Sequence, residues 1–122
     1  MKVLLSIKPE FAKKIFDGTK KFEFRKTIFK HKDINKVIVY ASSPQQQVIG
    51  EFCIDTILYD EVDKIWQKTN YASGITEEFY RSYFTDKKSA YAIKIGKLKK
   101  YKQPKKLSDF DVVFAPQSFI YI

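Results

Sequence analysis

The sequence predicts an α+β fold, most simply a small twisted β-barrel of mixed sheet with helices inserted between its strands. Three observations lead there. About six segments carry strand patterns, and helical patterns interrupt them without strict alternation. No glycine-rich phosphate loop follows the first strand and crossover helices are few, which argues against a parallel doubly wound sheet. The length of 122 residues suits a single domain over 1–122 whose one core buries roughly two-thirds of the unfolded surface.

Val3 to Ile7 is the first strand, ended by Lys8-Pro9, where the proline fixes its dihedral and opens a helix from Glu10 to Phe16. Phe11 and Ile15 give that helix its apolar stripe, and Gly18 stands where a C-terminal cap glycine belongs. A second strand is expected from about Lys20 to Thr27, then a polar turn and the strand Val37 to Ala41. Ser42 to Gln47 is a turn, and Val48 to Tyr59 a long strand in which Gly50 marks a bulge or bend. Asp60 to Lys68 and Ile75 to Phe84 read as helices, with Thr76 as N-cap and Glu77 and Glu78 in the first turn. Ser89 to Lys99 alternates as a strand. A lysine-rich turn, a short piece from Leu107 to Phe110 and a last strand from Phe119 to Ile122 complete the chain. With 11 Phe and 8 Tyr, the interior should be built around aromatic rings.

No apolar run approaches the roughly 18 residues that span a bilayer, and Met1 to Ile7 is too short for a signal-peptide core, so a cytoplasmic protein without a membrane partner is expected. The single Cys53 cannot form an internal disulfide and is expected as buried filler. No Cys/His or carboxylate spacing suggests a metal, and no cofactor is expected. The net charge of +9 is unevenly placed: residues 1–44 carry 11 Lys/Arg against 4 Asp/Glu, 45–86 carry 3 against 8, and 87–122 carry 9 against 2. Pairing of the terminal strands would bring the two basic segments together as one surface that favours a polyanion. A lysine-rich composition or solubility alone is the bland alternative.

Residues 18–25 read Gly-Thr-Lys-Lys-Phe-Glu-Phe-Arg and crowd four ionisable groups into the six positions from Lys20 to Arg25. In a strand, Lys21, Glu23 and Arg25 share one face and Phe22 and Phe24 the other. The rings should go inward and the charges toward a cleft or solvent. An ordinary surface pair of Glu23 with Arg25, worth roughly 0 to 1 kcal/mol, is the bland alternative.

This G-x-K-x-x-E-x-R run resembles the signature of the ASCH domains, a branch of the PUA-like superfamily. The likeness extends to Leu5-Ser6-Ile7-Lys8-Pro9, to Ala90-Tyr91-Ala92-Ile93-Lys94-Ile95 and to Pro116-Gln117-Ser118-Phe119, the last similar to the ending of a prokaryotic subgroup with an expected regulatory role. The resemblance implies a barrel whose cleft binds RNA or a modified nucleoside or nucleotide, with Lys8, Lys20, Lys21, Glu23, Arg25, Gln117 and Ser118 as ligand-binding candidates. Arg25 offers a planar fork for a phosphate or base edge, and Glu23 an acceptor for an amine or a partner for Arg25. The leading expectation is a binding module. A nucleoside amidohydrolase or a ribonuclease is the enzyme alternative, with Lys20, Glu23 and Tyr40 as catalytic candidates, and a regulatory module with a protein partner is a third class. Family amidohydrolases pair the lysine with a threonine where this chain has Glu23, and that carboxylate is expected to hold Lys20 protonated.

Between Lys97 and Lys106 six lysines surround Tyr101. Lys97, Lys99, Lys100, Tyr101 and Lys102 thus form a candidate nucleic-acid contact, cations for phosphate and a ring for stacking. A solvated turn accounts for the run equally well.

Overall fold

The computed structural model describes residues 1–122. Strand β1 (Lys2–Ile7) leads into helix α1 (Pro9–Phe16), followed by β2 (Phe22–Arg25), β3 (Lys36–Ala41) and β4 (Gln47–Glu61). Helices α2 (Val62–Thr69) and α3 (Glu77–Tyr83) precede β5 (Ser89–Lys105) and β6 (Phe119–Tyr121), with short 3-10 turns at Asn70–Ala72 and Leu107–Phe110. The expected α+β fold is present. Its six strands form one mixed sheet in the order β2-β5-β4-β3-β1-β6, parallel only between β1 and β3.

The sheet curls into a half-barrel whose edge strands β2 and β6 share no backbone ladder. Side chains span the seam instead. Arg25 Nη2 donates to Ser118 Oγ, Phe29 meets Phe119 edge to face at 5.9 Å, and the Tyr121 hydroxyl accepts from the Lys30 backbone N–H at 2.8 Å. The terminal strands do pair, Leu4 opposite Ile120.

Local chemistry explains most boundaries. Pro9 occupies the first turn of α1, and Gly18 leaves that helix at φ +88°, where side-chain-bearing residues are strained. Thr76 caps α3, its Oγ1 accepting from the Phe79 N–H at 3.1 Å. The β3–β4 register shifts between Val39 and Tyr40, and the β4–β5 register between Val48 and Gly50, bending the sheet at the expected glycine. A Cβ on Gly50 would sit 2.6 Å from the Phe16 ring and 2.7 Å from the Lys99 carbonyl, so close packing of α1 requires glycine there.

Strand parity sorts the core. Val3, Leu5 and Ile7 face Ala12 and Ile15 of α1, whereas Leu4 joins Ile38, Tyr40 and Val48 in a separate cluster on the opposite face. Phe22 and Phe24 pack with Ile65, Tyr80 and Phe84 of the helical layer. Tyr80 anchors that layer: its side chain is fully buried, and its hydroxyl donates to the Val62 carbonyl at 2.7 Å. Burial pushes the Tyr80 phenol up to about 12.

Several sequence expectations need correction. The second strand covers only Phe22–Arg25, because the Lys21 N–H is taken by the Ala72 carbonyl before the ladder with β5 begins. Helix α2 starts at Val62 because β4 continues through Glu61, paired with Ser89. The lysine-rich stretch is the second half of β5 rather than a turn, held by pairs such as Leu98–Phe52 and Lys100–Gly50. β2 flanks β5 only over residues 91–94, which leaves this half with an open edge where lysines are tolerated and discourage pairing with another chain. Cys53 is half-buried, not fully buried. No helix is long and apolar enough to cross a membrane.

Candidate functional site

A cavity of about 550 Å³ opens where the parallel strands β1 and β3 end, with Ser6 to Lys8 from the first and Tyr40, Ser42 and Ser43 from the second. Its volume falls within the roughly 300 to 1,000 Å³ of small-molecule sites. Glu23 to Arg25 form one wall, Phe11 and Phe79 another, and Ala115 to Gln117, leading into β6, a third. The cavity thus sits beside the unclosed seam of the half-barrel.

Lys20 is the least expected of its charged groups, only 2% exposed. Its amide donates to the Lys14 carbonyl at the end of α1, which sends its side chain beneath Gly74. A Cβ on Gly74 would lie 2.5 Å from Lys20 Cβ, so the glycine leaves room for the lysine stem. The ammonium donates to the Ser73 carbonyl at 2.7 Å and lies 4.9 Å and 5.5 Å from the Phe24 and Phe11 ring centroids. Burial pushes its pKa down to about 8, against the opposing pull of Glu23 and with a smaller lowering from Lys14.

Glu23 thus acts in the expected direction, toward the protonated lysine, but desolvation outweighs it and sets the pKa below its ordinary value. Glu23 Oε2 is engaged instead by Arg25 Nη1 at 3.2 Å, and both residues are buried, 6% and 9% exposed. This is no surface pair. Arg25 also reaches Ser118, so one guanidinium is held by two partners and keeps a fixed orientation at the cavity wall.

The other candidates divide by place. Lys8, Lys20, Glu23, Arg25, Tyr40 and Gln117 line the cavity together, and Ser118 touches it through Arg25. Lys21 does not belong: it is exposed, since its position precedes the strand whose parity would have turned it inward. Lys97, Lys99, Lys100, Tyr101 and Lys102 are absent from this cavity; Lys100, Tyr101 and Lys102 line a separate groove beside α1. Tyr40 is 4% exposed, and no buried side-chain oxygen in the chain lacks a hydrogen-bond partner. Its hydroxyl, bonded to no protein group, must then open onto the cavity. The run from Phe79 to Phe84 reads from its helical spacing mainly as core with a stacking ring or two to spare; Phe79 and Tyr83 are the ones that line the cavity, while Tyr80 and Phe84 are buried in the core. Ser73 and Gly74 had no local signal, since their role is contact with Lys20, 53 and 54 positions away in the chain.

Charge and rings together suit a nucleotide. Lys8, Lys20 and Arg25 face one carboxylate, Glu23, so the lining carries a cationic excess among aromatic rings. The chain shows no cluster of three or more His, Cys, Asp or Glu arranged for a metal.

Known proteins agree with this architecture. A family described as "Domain of unknown function (DUF365)" matches residues 1–117. ATP synthase subunit alpha of Ureaplasma parvum is 35% identical over 121 residues, 98% of this chain and 15% of that protein. An ASCH domain-containing ribonuclease of Zymomonas mobilis is 32% identical over 93 residues, 75% of this chain and 63% of that protein. The chain thus spans less than two-thirds of the length of these curated relatives. The crystal structure of ASCH from Zymomonas mobilis superimposes with a TM-score of 0.90 at 27% identity, covering 99% of this chain and 87% of that one. The same protein has been solved with a tyrosine replaced by phenylalanine and with a serine replaced by alanine.

Proposed function

The chain belongs to the DUF365 family and carries the ASCH fold of the PUA-like superfamily, and from that premise we propose that it cleaves RNA in the cavity around Lys20. The observation that carries the proposal is the desolvated lysine. A pure binding site for phosphate gains from a lysine that stays charged; one depressed to about 8 is partly neutral near physiological pH and can take a proton. The ribonuclease among the relatives points to the same chemistry.

The reaction that fits these groups is attack of a ribose 2′-hydroxyl on the adjacent phosphorus. The O2′–P bond forms, the P–O5′ bond breaks, and a 2′,3′-cyclic phosphate and a 5′-hydroxyl result. Neutral Lys20 keeps one N–H on the Ser73 carbonyl and turns its lone pair to the 2′-hydroxyl proton. Arg25, held by Glu23 and Ser118, stabilises charge on the non-bridging oxygens, a role that needs its planar fork. Tyr40 gives its proton to the departing 5′-oxygen. Phe11 and Phe79, 5.0 Å apart edge to face, offer a wall against which a base can rest.

The test is incubation of the purified protein with an end-labelled single-stranded RNA, resolving products on a gel. Cleavage should yield cyclic-phosphate ends, rise with pH up to about 8 as Lys20 becomes neutral, and disappear in Lys20→Ala. Tyr40→Phe should slow it by about 10²-fold to 10⁴-fold, the usual worth of a positioned acid. Absence of lysine-dependent cleavage would remove the enzyme reading and leave a module that binds RNA or a nucleotide.

A further inference from the structure

Cleavage in the cavity parts two nucleosides, and they lie on different sides of it. The one that supplies the 2′-hydroxyl stands by Lys20, with Phe11 of α1 and Phe79 of α3 as its wall. The one that departs on its 5′-oxygen stands by Tyr40. What surrounds Tyr40 therefore decides which leaving nucleoside is held.

Tyr40 is directly opposite Ser6 in the parallel β1–β3 ladder, so the two side chains share a face of the sheet on strands roughly 4.8 Å apart. Ser6 also pins the segment that joins the 3-10 turn at Leu107–Phe110 to β6. Its hydroxyl donates to the Pro116 carbonyl at 2.6 Å and its N–H to the Ser118 carbonyl at 3.1 Å. At the other end of this strap Val112 is buried, and its N–H donates to the Leu107 carbonyl at 3.1 Å. Leu107 and Phe110 pack in the same cluster as Tyr40. The strap thus runs past Tyr40, and its residues Ala115 to Gln117 border the cavity.

Between the two anchors Val113 and Phe114 stand in solvent, 83% and 82% exposed, and neither takes part in a hydrogen bond. Every other phenylalanine of the chain is buried or half-buried. Phe114 adjoins Ala115 of the cavity wall, so its ring is carried at the mouth on the side where the 5′-oxygen leaves. An aromatic ring offers about 150 to 250 Å² of contact, far short of the roughly 800 Å² that each side of a stable protein interface buries. That area suits one flat ligand. Lys8 and Arg25 in the adjoining cavity favour a flat ligand joined to a phosphate over an apolar peptide.

We propose that Phe114 receives the base of the leaving nucleoside, so that the strap selects substrates with a base on the 3′ side of the bond that is cut. The proposal rests on the cleavage reading of the cavity and adds to it a substrate-binding residue outside the cavity's lining. Its test is made without turnover.

The first probe is uridylyl-(3′→5′)-adenosine with a 2′-O-methyl group on the uridine, which lacks the attacking hydroxyl. The second is 2′-O-methyluridine 3′-methyl phosphate, in which methyl replaces the leaving adenosine. Both are titrated calorimetrically at low salt into the wild-type protein, Phe114→Ala and Phe114→Tyr. Stacking of a base on an aromatic ring is worth about 5-fold to 150-fold in affinity, so the wild-type protein should prefer the dinucleotide by a factor in that range. Phe114→Ala should lose the preference and Phe114→Tyr keep it. Both variants should bind the methyl ester as the wild-type protein does and melt at the same temperature, because the ring is exposed. Equal wild-type affinity for the two probes, absence of binding included, or a preference that survives in Phe114→Ala would overturn the proposal. So would a wild-type oligomer in sedimentation that Phe114→Ala dissolves, since a second copy would then cover the ring. The cleavage reading fails by a different result: a Phe114-dependent preference for the dinucleotide, with no Lys20-dependent cutting of its unmethylated form.

Discussion

Replacing Lys20 by Met should make the protein more stable and inactive. The lysine is ordinarily half-protonated at pH 10.5 and in the fold at about 8, so near neutrality it is mainly charged in both states, with a minor neutral fraction in the fold, and the folded state bears the cost of that buried charge. A difference of about 2.5 pH units corresponds to about 3 kcal/mol. The sign follows from proton counts. Below pH 8 the cost is present in full; between 8 and 10.5 the unfolded chain holds more protons, and stability rises with pH; above 10.5 the cost is gone. Methionine keeps the stem between Phe24 and Phe11 but gives up the bond to the Ser73 carbonyl, a loss of about 1 kcal/mol. The net expectation is a gain of about 2 kcal/mol at pH 7, which moves a urea midpoint by roughly 1 M, shrinking to near zero at pH 10. Urea unfolding of both proteins at the two pH values measures the double difference, in which the other titrating groups cancel. A variant less stable than wild type at pH 7, or a gain unchanged at pH 10, would refute the desolvation argument and with it the basis for a reactive lysine.

Phe24→Ala should lower stability by about 3 to 5 kcal/mol, because the ring is buried against Tyr80 and Ala has nothing to fill its place; chemical denaturation checks it. Arg25→Lys should cost about 1 to 2 kcal/mol and most of the RNA-cleaving activity, since a lysine cannot hold Glu23 and Ser118 together; full activity in that variant would remove Arg25 from the site. Gly74→Ala combines a left-handed φ of +70° with a Cβ that meets the Lys20 stem at 2.5 Å, so the expected result is a loss of about 1 to 3 kcal/mol and a displaced, inactive Lys20, read by unfolding and by RNA cleavage in parallel. Acetylated cytidine should release no acetate in a Lys20-dependent way, because Thr19 is turned away onto Asp17 and no threonine lines the cavity; turnover above background would reopen the amidohydrolase alternative.

What the sequence disclosed, and what it hid, follows the range of the interactions involved. Alternation in Phe22-Glu23-Phe24-Arg25 was legible because strand parity is local, and it correctly sends two rings into the helical layer and two charges to the cavity. The Thr76 cap and the Gly18 helix end were legible for the same reason. The burial of Lys20 was not, because Ser73 and Gly74 stand more than fifty positions away in the chain. Nor was the length of β5: six lysines in ten residues read as a turn until β4 is seen to supply the ladder on one side only. Tyr40 could be named as a candidate but not oriented, since the register shift next to it depends on pairing with β4.

The seam between β2 and β6 fixes how this architecture can vary. A fully closed ladder would tie every residue along the join to a backbone partner and fill the space that Arg25, Glu23 and the 115–117 segment now border. Because the join is made of side chains, each rung can be exchanged singly: Phe29 and Phe119 set how firmly the edges are held, while Arg25 and Ser118 set what chemistry stands at the opening. Substitutions in residues 115–117, exposed or half-exposed and outside any strand, reshape the mouth without disturbing a ladder bond. Stability and ligand choice are thereby assigned to different stretches of the chain, and new specificities are open to this scaffold without a change to its core.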